Sequence, residues 1–218
     1  MPQSVASRDD DKLRDEQWLR WARRLQAIAQ DGLTYTKDDY DLGRYEQLRD
    51  LAAEVFTAHS TVTLQEARDL LALETGPATP KVDVRAVVFR ESRILLVKEP
   101  GDEGWSLPGG WADVGESPSE TATREALEES GYRVKPVRLL AAYDRDRHGH
   151  PSIPYHVYKL VFLCKIRNET PSSDVDPQGA RFFDEYEIPE LSITCVTRAQ
   201  ISRFFEQNRD PGQPADFD

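Results

Sequence analysis

Three carboxylates stand at helical spacing in the middle of this chain. Glu125, Glu128 and Glu129 occupy positions i, i+3 and i+4, which at 3.6 residues per turn gathers them within an arc of roughly 100°. Like charges this close repel one another, and hard divalent cations with oxygen ligands are the usual compensation. The spacing therefore predicts a metal site, with a solvated acidic helix face as the alternative.

Local start signals predict that these carboxylates lie on a helix from residue 117 to residue 130. Ser117 can cap the helix, Pro118 suits the first helical position, and Glu120 completes a capping box. The spacing argument therefore applies to a helix whose beginning is encoded locally.

The residues around this helix favour the metal site over the acidic face. Upstream lies WSLPGGW, residues 105–111, where two glycines permit a tight backbone path that can aim carbonyls or amides at a metal or phosphate. Arg124 precedes Glu128 by four residues and can pair with it, which would hold the carboxylate in one orientation.

The chain before residue 76 is predicted to form three amphipathic helices. Apolar residues recur at helical spacing from residue 13 to residue 30, with Gly32 as the predicted stop, and again from residue 45 to residue 56. Thr63 and Glu66 form a capping box that predicts the start of a third helix.

After residue 80 the pattern changes to strands. Branched residues at 82–89 and 94–97 flank a short turn and predict a hairpin. Further elements are predicted at residues 134–143, 155–166 and 180–183 as strands and at 197–207 as a helix. We therefore predict a flexible tail (1–12), a helical N-terminal domain (13–76), a linker (77–80), an α/β domain (81–210) and a C-terminal tail (211–218).

Composition narrows the classes of partner. The net charge of -11 argues against nucleic-acid binding, which needs clustered basic residues. No apolar run approaches the roughly 20 residues of a membrane span, and the first residues do not read as a secretory signal, so a cytoplasmic location is expected. Cys164 and Cys195 lack a metal-ligand spacing and are interpreted as packing residues.

The carboxylate region resembles the signature of the Nudix hydrolases, G-x5-E-x7-R-E-U-x-E-E-x-G-U. Its fixed positions are held by Gly110, Glu116, Arg124, Glu125, Glu128, Glu129 and Gly131. Ala126 and Tyr132 depart mildly from its two bulky aliphatic positions. Agreement at all the fixed positions is far more specific than a short motif. The resemblance implies an α/β Nudix fold, a mixed sheet between helices, from about residue 80 onward.

The same resemblance implies metal-dependent cleavage of a diphosphate. Glu125, Glu128, Glu129 and the Gly109 carbonyl would bind Mg²⁺, with Mn²⁺ as the alternative, and Arg124, Glu125 and Glu128 would carry catalytic roles. The general base stays open between Glu125 or Glu128 and a carboxylate on a later loop. The later candidates are Glu169, Asp174, Asp176 and Glu185.

The rest of the chain resembles a bacterial Nudix subgroup with a helical N-terminal domain, which hydrolyses nucleoside diphosphates linked to another moiety. The similar segments are GLTYTKDDYD, ATPKVDVRAVVF and YDRDRHGHP. The resemblance implies CDP-choline, cleaved to CMP and phosphocholine, with ADP-ribose or a sugar nucleotide as the alternative. A ligand-sensing module without turnover and an RNA-processing role are hypotheses from other classes.

Substrate contacts are predicted in residues 143–151 and at the glycine-rich segment. The candidates are Asp144, Arg145, His148, His150 and Trp111. An ordinary polar loop is the alternative for the first four. Trp111 with Tyr35, Tyr40 and Tyr45 would suit a cage for a quaternary ammonium, although aromatics at such spacing more often belong to a core or interface.

The apolar faces of the N-terminal helices need a partner surface. Trp18 and Trp21 lie on these faces, and three short helices bury little by themselves. We expect this domain to pack on the α/β domain or to exchange across a homodimer, and so to supply part of the pocket.

Overall fold

The computed structural model describes residues 17–167 and 179–218. The chain divides into two compact units. The helical unit comprises the described residues up to Pro80 together with Ser152–His156, and the sheet unit comprises Lys81–Pro151 and the described residues from Val157 to Asp218.

Three helices form the helical unit, as predicted: α1 (Gln17–Tyr35), α2 (Asp39–Thr57) and α3 (Leu64–Ala72). The side chain of Asp38 caps α2 by accepting from the backbone N–H groups of Tyr40 and Asp41. The predicted capping box of Thr63 and Glu66 starts α3. The shared core consists of Leu19, Ala22, Ala52, Ala53, Phe56, Ala67 and Leu71.

Helix α1 does not stop at Gly32, so that prediction was wrong. The helix continues to Tyr35, so Gly32 lies within the helix and does not end it in a left-handed turn. Its role is in packing. A Cβ atom at Gly32 would lie 2.2 Å from the ring of Tyr45 on α2. The absence of a side chain therefore lets α1 and α2 approach closely. The predicted start at residue 13 lies outside the described residues.

One face of α1 carries exposed apolar side chains at seven-residue intervals. Trp21, Ile28 and Tyr35 are 54%, 52% and 67% exposed. Trp18 behaves differently, since its ring packs 6.0 Å from that of Phe56. We call Trp21, Ile28 and Tyr35 the α1 stripe. It is the part of the amphipathic pattern that the helical unit leaves uncovered.

The sheet unit is built on an eight-stranded mixed sheet. Its strands are β1 (Lys81–Arg90), β2 (Arg93–Lys98), β3 (Trp105–Ser106), β4 (Gly109–Trp111), β5 (Val134–Asp144), β6 (Val157–Ile166), β7 (Ala180–Phe183) and β8 (Asp216–Phe217). The order is β3-β2-β1-β6-β5-β8, with β4 also paired to β1 and β7 to β2. The predicted hairpin of β1 and β2 is confirmed, with Glu91 and Ser92 in the left-handed region at the turn.

Two helices cover the two faces of this sheet. Helix α4 (Pro118–Ser130) contributes Ala122 and Ala126 to a core with Val84, Ala86 and Val88 of β1. Helix α5 (Arg198–Arg209) contributes to the opposite core, which includes Val87 of β1. The period-two alternation of β1 thus serves both faces. This arrangement confirms the predicted fold, a mixed sheet between helices preceded by a helical region.

Several short elements differ from the predictions. Strands β3 and β4 were not predicted, because two or three residues carry no readable alternation. Strand β6 begins at Val157 rather than at the predicted residue 155, and Ser152–His156 groups with the helical unit. The predicted C-terminal tail contains β8, which pairs in parallel with β5. No helix in the described part of the chain combines the length and the apolar character that a membrane crossing requires.

Candidate active site

Helix α4 presents its carboxylates from a rigidly defined position. The capping box of Ser117 and Glu120 starts the helix, and Gly131, with a φ of 72°, ends it in the left-handed conformation. Ala122 and Ala126 are fully buried against the sheet. The side of the helix that carries Glu125, Glu128 and Glu129 is therefore fixed by caps and packing encoded in the same segment.

Arg124 donates hydrogen bonds to three carboxylates of this region and also lies 3.6 Å from Asp113 Oδ2. Its Nε and Nη2 donate to the two oxygens of Glu116 at 2.9 and 3.1 Å, a bidentate pair. Its Nη1 donates to Glu125 Oε1 at 2.8 Å and to the predicted partner Glu128 Oε2 at 3.1 Å. The hydrogen bond from Arg124 lowers the pKa of Glu116, and that carboxylate raises the pKa of Arg124. Arg124 thus holds the Glu116 carboxylate ionised and orients Glu116, Glu125 and Glu128.

Glu129 is held from the other side, by the glycine-rich segment. The backbone N–H of Gly109 donates to Glu129 Oε2 at 2.8 Å. Burial raises the pKa of Glu129 to about 7, and the bond from Gly109 opposes that rise. Burial disfavours the ionised form of this carboxylate, and a cation bound nearby would stabilise that form.

The two glycines of strand β4 permit its close approach to α4 and β1. Gly109 has a φ of 150°, and a Cβ there would lie 2.1 Å from the carbonyl oxygen of Val84. A Cβ at Gly110 would lie 2.8 Å from Glu125 Oε1. Only glycine fits at either position without displacing neighbours. The Gly109 backbone therefore lies beside the predicted carboxylate ligands.

This donor set fits a hard divalent cation. Glu125, Glu128 and Glu129 supply carboxylate oxygens, and the Gly109 backbone lies against Glu129 through its N–H. Mg²⁺ and similar cations prefer all-oxygen ligands of this kind. Glu125 and Glu128 share the guanidinium of Arg124, Glu129 lies against Gly109, and their joint role as metal ligands stays a prediction.

A buried ionic network, which the sequence reading missed, adjoins this region. Asp83, Arg85 and Lys159 are each less than 9% exposed and lie on the neighbouring strands β1 and β6. Arg85 donates from Nε to Asp83 Oδ1 at 3.0 Å, and the Lys159 ammonium also pairs with Asp83. Burial by itself would raise the pKa of Asp83, but the two cations lower it. The sequence signal for this network was a pair of charged residues, spaced i and i+2, within the otherwise apolar strand VDVRAVVF.

Arg85 also reaches the segment that leads into β4. Its Nη1 donates to the Leu107 carbonyl at 3.0 Å and to Ser106 Oγ at 3.3 Å, and it pairs with Glu99 at 3.4 Å. The network thus extends from β6 to the residues just before Gly109.

The predicted substrate residues of the 143–151 segment lie around the end of β5. Asp144 caps a short 3₁₀ turn, Arg145–Arg147, by accepting from the Asp146 backbone N–H. Arg145 is buried and donates to the carbonyls of Pro151 and Thr194 at 2.7 and 3.2 Å. These contacts give Arg145 a structural task within the segment, and its predicted contact with substrate stays a prediction.

The two histidines of this segment differ in their surroundings. His148 pairs through Nε2 with Asp218 at 3.0 Å and packs on the Tyr143 ring. His150 is bonded through Nδ1 to the Ile193 carbonyl at 2.8 Å, so that nitrogen carries the proton. Its Nε2 is buried and has no hydrogen-bond partner among the described residues. Burial lowers the pKa of His150 to about 4. The neutral ring thus keeps an acceptor nitrogen available.

The remaining candidates belong to different parts of the chain. Trp111 is 48% exposed on β4 in the sheet unit, whereas Tyr35, Tyr40 and Tyr45 lie in the helical unit. Glu185, one of the candidate bases, pairs with Arg209 of α5. The candidates Glu169, Asp174 and Asp176 lie outside the described residues.

A mixed sheet between helices, with a carboxylate helix beside a glycine-rich strand, is the architecture that the Nudix resemblance implied. The chain belongs to the Nudix family, because residues 79–205 match the family described as the NUDIX domain. Residues 16–71 match a second family, described as a UDP-X-like, N-terminal oligomerisation domain. The predicted resemblance to Nudix hydrolases is confirmed, and the protein is an enzyme of that family.

Relatives of known name extend over most of the chain. The Bacillus subtilis protein YjhB, named as a proposed ADP-ribose pyrophosphatase, is 44% identical over 92% of this chain and 97% of its own length. A Xenopus laevis protein named nucleoside diphosphate-linked moiety X motif 6 is 33% identical over 70% of this chain and 73% of its own. A crystal structure of a UDP-X diphosphatase is similar with a TM-score of 0.58 and 33% identity, and the match covers 94% of this chain and 99% of that one.

Proposed function

We propose that this enzyme hydrolyses the diphosphate linkage of a nucleoside diphosphate joined to a second group, with Mg²⁺ as the cation. The observation that carries the proposal is the arrangement on α4. Arg124 orients Glu116, Glu125 and Glu128, while Glu129 is held against Gly109. A set of oriented oxygen donors beside a glycine-rich strand suits diphosphate chemistry better than a solvated helix face does.

Each residue of the site has a separate task in this proposal. Glu125, Glu128, Glu129 and the Gly109 carbonyl would hold the cation, which when bound neutralises phosphate oxygens and lowers the pKa of water. Arg124 holds Glu125 and Glu128 in place. Glu125 or Glu128 is the proposed acceptor of the proton from the attacking water, and Glu185 stays the alternative within the described residues.

Among substrates, ADP-ribose is the first to test. The relative that covers nearly the whole chain is named for it, and the similar structure named UDP-X diphosphatase makes uridine diphosphate compounds the second class. CDP-choline stays a prediction that rests on the resemblance and on the proposed aromatic cage. No contact among the described residues of either unit favours a quaternary ammonium over a ribose.

Residues 143–151 are proposed to bind the group that lies beyond the diphosphate. His150 offers a buried acceptor nitrogen, which suits a hydroxyl donor such as a ribose or sugar oxygen. Asp144, Arg145, His148 and Trp111 are the other proposed contacts. His150→Ala is expected to raise KM for a sugar-bearing substrate more than it lowers kcat; the opposite pattern would remove His150 from recognition.

Initial rates on ADP-ribose, UDP-linked sugars and CDP-choline with Mg²⁺ test the function directly. Glu128→Gln keeps the size of the side chain and removes its charge, so turnover is expected to fall by at least about 100-fold. Glu187→Gln, an exposed change in the sheet unit, is the matched control and should retain full activity. Full activity of Glu128→Gln would refute the assignment of the site.

A ligand-sensing module without turnover is the alternative from another class. The complete carboxylate set on α4 speaks against it, because a sensor has no need to keep Glu125, Glu128 and Glu129 together with Arg124. A sensor would bind one compound of the panel, as measured by calorimetry, and release no product from any of them.

We also propose that the helical unit forms a homodimer through the α1 stripe. Its exposed side chains Trp21, Ile28 and Tyr35 stand at seven-residue intervals, a repeat that suits helix pairing. The family matched by residues 16–71 is described as an oligomerisation domain. Trp21→Ser with Ile28→Ser should give monomers in analytical ultracentrifugation. Leu73→Ser, another exposed apolar residue of the same unit, should not; dissociation by both variants would contradict the proposed interface.

A further inference from the structure

We propose that Arg85 is a positioning residue for the cation site, clamped by Asp83 and Lys159, and that it sets the path of residues 106–109 beside Glu129. The inference rests on the proposed function, since it concerns the same site. Arg85 acts through the glycine-rich segment and does not itself touch the cation or the substrate.

The clamp is a buried arrangement of charges on adjacent strands. Asp83 stands directly opposite Lys159 in the parallel ladder of β1 and β6. Asp83 accepts from Arg85 on its own strand and from Lys159 on the neighbouring strand. A buried carboxylate that accepts from two buried cations is compensated, whereas each cation alone would be costly. The position of the Arg85 side chain is thereby fixed from one side.

The other side of the Arg85 side chain holds the glycine-rich segment. Its Nη1 donates to the Leu107 carbonyl and to Ser106 Oγ. The backbone of β1 grips the same segment, because the Ala86 N–H donates to the Pro108 carbonyl at 2.8 Å. Gly109 then stands opposite Arg85 in the pairing of β1 with β4.

This grip determines where the Gly109 peptide lies. A Cβ at Gly109 would be 2.7 Å from Cδ of Arg85, so the two residues are in close contact. The Gly109 N–H in turn donates to Glu129. A shift of residues 106–109 would therefore move both the carbonyl proposed as a ligand and the bond that orients the Glu129 carboxylate. Sub-ångström order in supporting contacts of this kind commonly decides metal affinity.

Only an arginine can do this in the observed geometry. Its Nε and Nη2 face Asp83 while Nη1 faces Leu107 and Ser106. A lysine ammonium is a single point and cannot bridge both sides. Arg85→Lys therefore keeps the buried charge and removes the clamp.

The test measures cation binding apart from turnover. The rise in melting temperature of the full-length protein is titrated with Mg²⁺ and with Mn²⁺ for the wild type and Arg85→Lys. The concentration that gives half the rise is expected to increase about 10–100-fold in the variant. With the substrate found active, kcat at limiting Mg²⁺ should fall by a similar factor and recover in part at high Mg²⁺, with KM for substrate changed little.

The matched control is Arg93→Lys, which changes an arginine paired with Glu91 at the hairpin turn. It should leave the cation response unchanged. An unchanged cation response in Arg85→Lys would overturn the inference. So would a large rise in KM with a normal cation response, because Arg85 would then contact the substrate.

A gentler variant covers the case in which Arg85→Lys fails to fold. Ser106→Ala removes one acceptor of Arg85 Nη1 and the bond from Ser106 Oγ to the Leu107 carbonyl, keeps the Arg85 pairs with Asp83 and Leu107, and should weaken the cation response about three- to tenfold. A normal response in that variant would overturn the inference. Cation titration needs no substrate, so an enzyme that ignored every nucleotide of the panel would refute the proposed function and leave this test standing.

Discussion

Replacement of Gly32 by alanine should destabilise the helical unit, although the same change usually stabilises a helix. Gly32 lies inside α1, where alanine is favoured over glycine by about 0.8–1.0 kcal/mol. The new Cβ would lie 2.2–2.4 Å from three ring atoms of Tyr45, far inside normal contact. Forced overpacking costs about 1–3 kcal/mol, and three close contacts place this case in the upper half. The net loss is expected to be about 1–2 kcal/mol.

The same substitution elsewhere in the unit provides the control. Gly43 lies inside α2, and a Cβ there would meet nothing within 4 Å. Gly43→Ala should therefore stabilise by about 0.5–1 kcal/mol. The two variants carry the same chemical change and differ in the sign of its effect, and only the packing against Tyr45 accounts for the difference.

Hydrogen exchange read by mass spectrometry reports the stability of α1 and α2 separately from the sheet unit. A gap of about 2 kcal/mol between the variants corresponds to roughly a 30-fold difference in exchange rate at the most protected amides. Tyr45→Ala should convert Gly32→Ala into a stabilising change. If Gly32→Ala stabilised α1 as much as Gly43→Ala does α2, the contact between α1 and α2 would be wrongly described.

Three further outcomes are expected. Thr63→Ala removes the hydroxyl that accepts from the Glu66 N–H in the α3 capping box and should cost about 1 kcal/mol in urea denaturation, with Thr63→Ser close to the wild type. Gly109→Ala drives a Cβ against the Val84 carbonyl and should lower kcat by at least about 100-fold while the melting temperature stays measurable; normal turnover would refute the geometry of β4. Since the folded-state pKa of His150 is lowered to about 4, the unfolded chain binds its proton first, and the free energy of unfolding should fall as the pH drops from about 6.5 to about 4. His150→Asn should flatten that slope in denaturation curves.

The site helix could be predicted because its signals are local. Ser117 and Glu120 lie three residues apart and start α4 whatever surrounds them. The carboxylates follow on the same helix, so their spacing alone places them together. Gly32 shows the opposite case, since its role depends on the ring of Tyr45 on another helix. A glycine near the end of an apolar pattern predicts the end of a helix unless its contact with another helix is known.

The buried network shows why the site could be predicted only in part. Asp83 and Lys159 are 76 residues apart, and the local sequence around either residue does not predict that the two will pair. The charges in β1 were visible in the sequence, yet their meaning depends on the register of β1 with β6. The segment from Asp144 to His150 is similar, because its contacts with Asp218 and Ile193 come from distant parts of the chain.

The parallel pairing of β1 with β6 has a consequence for synthesis on the ribosome. These strands run side by side from Lys81 opposite Val157 to Val88 opposite Cys164. At about 5–20 residues per second, the gap of 76 residues between Asp83 and Lys159 corresponds to about 4–15 s of translation. Helix α4 is completed within that time, at Ser130, while the edge of β1 that pairs with β6 has no neighbour. The core beneath α4 can therefore be completed only after β6 has been synthesised. A nascent chain that ends before residue 166 should bind chaperones rather than form a folded domain.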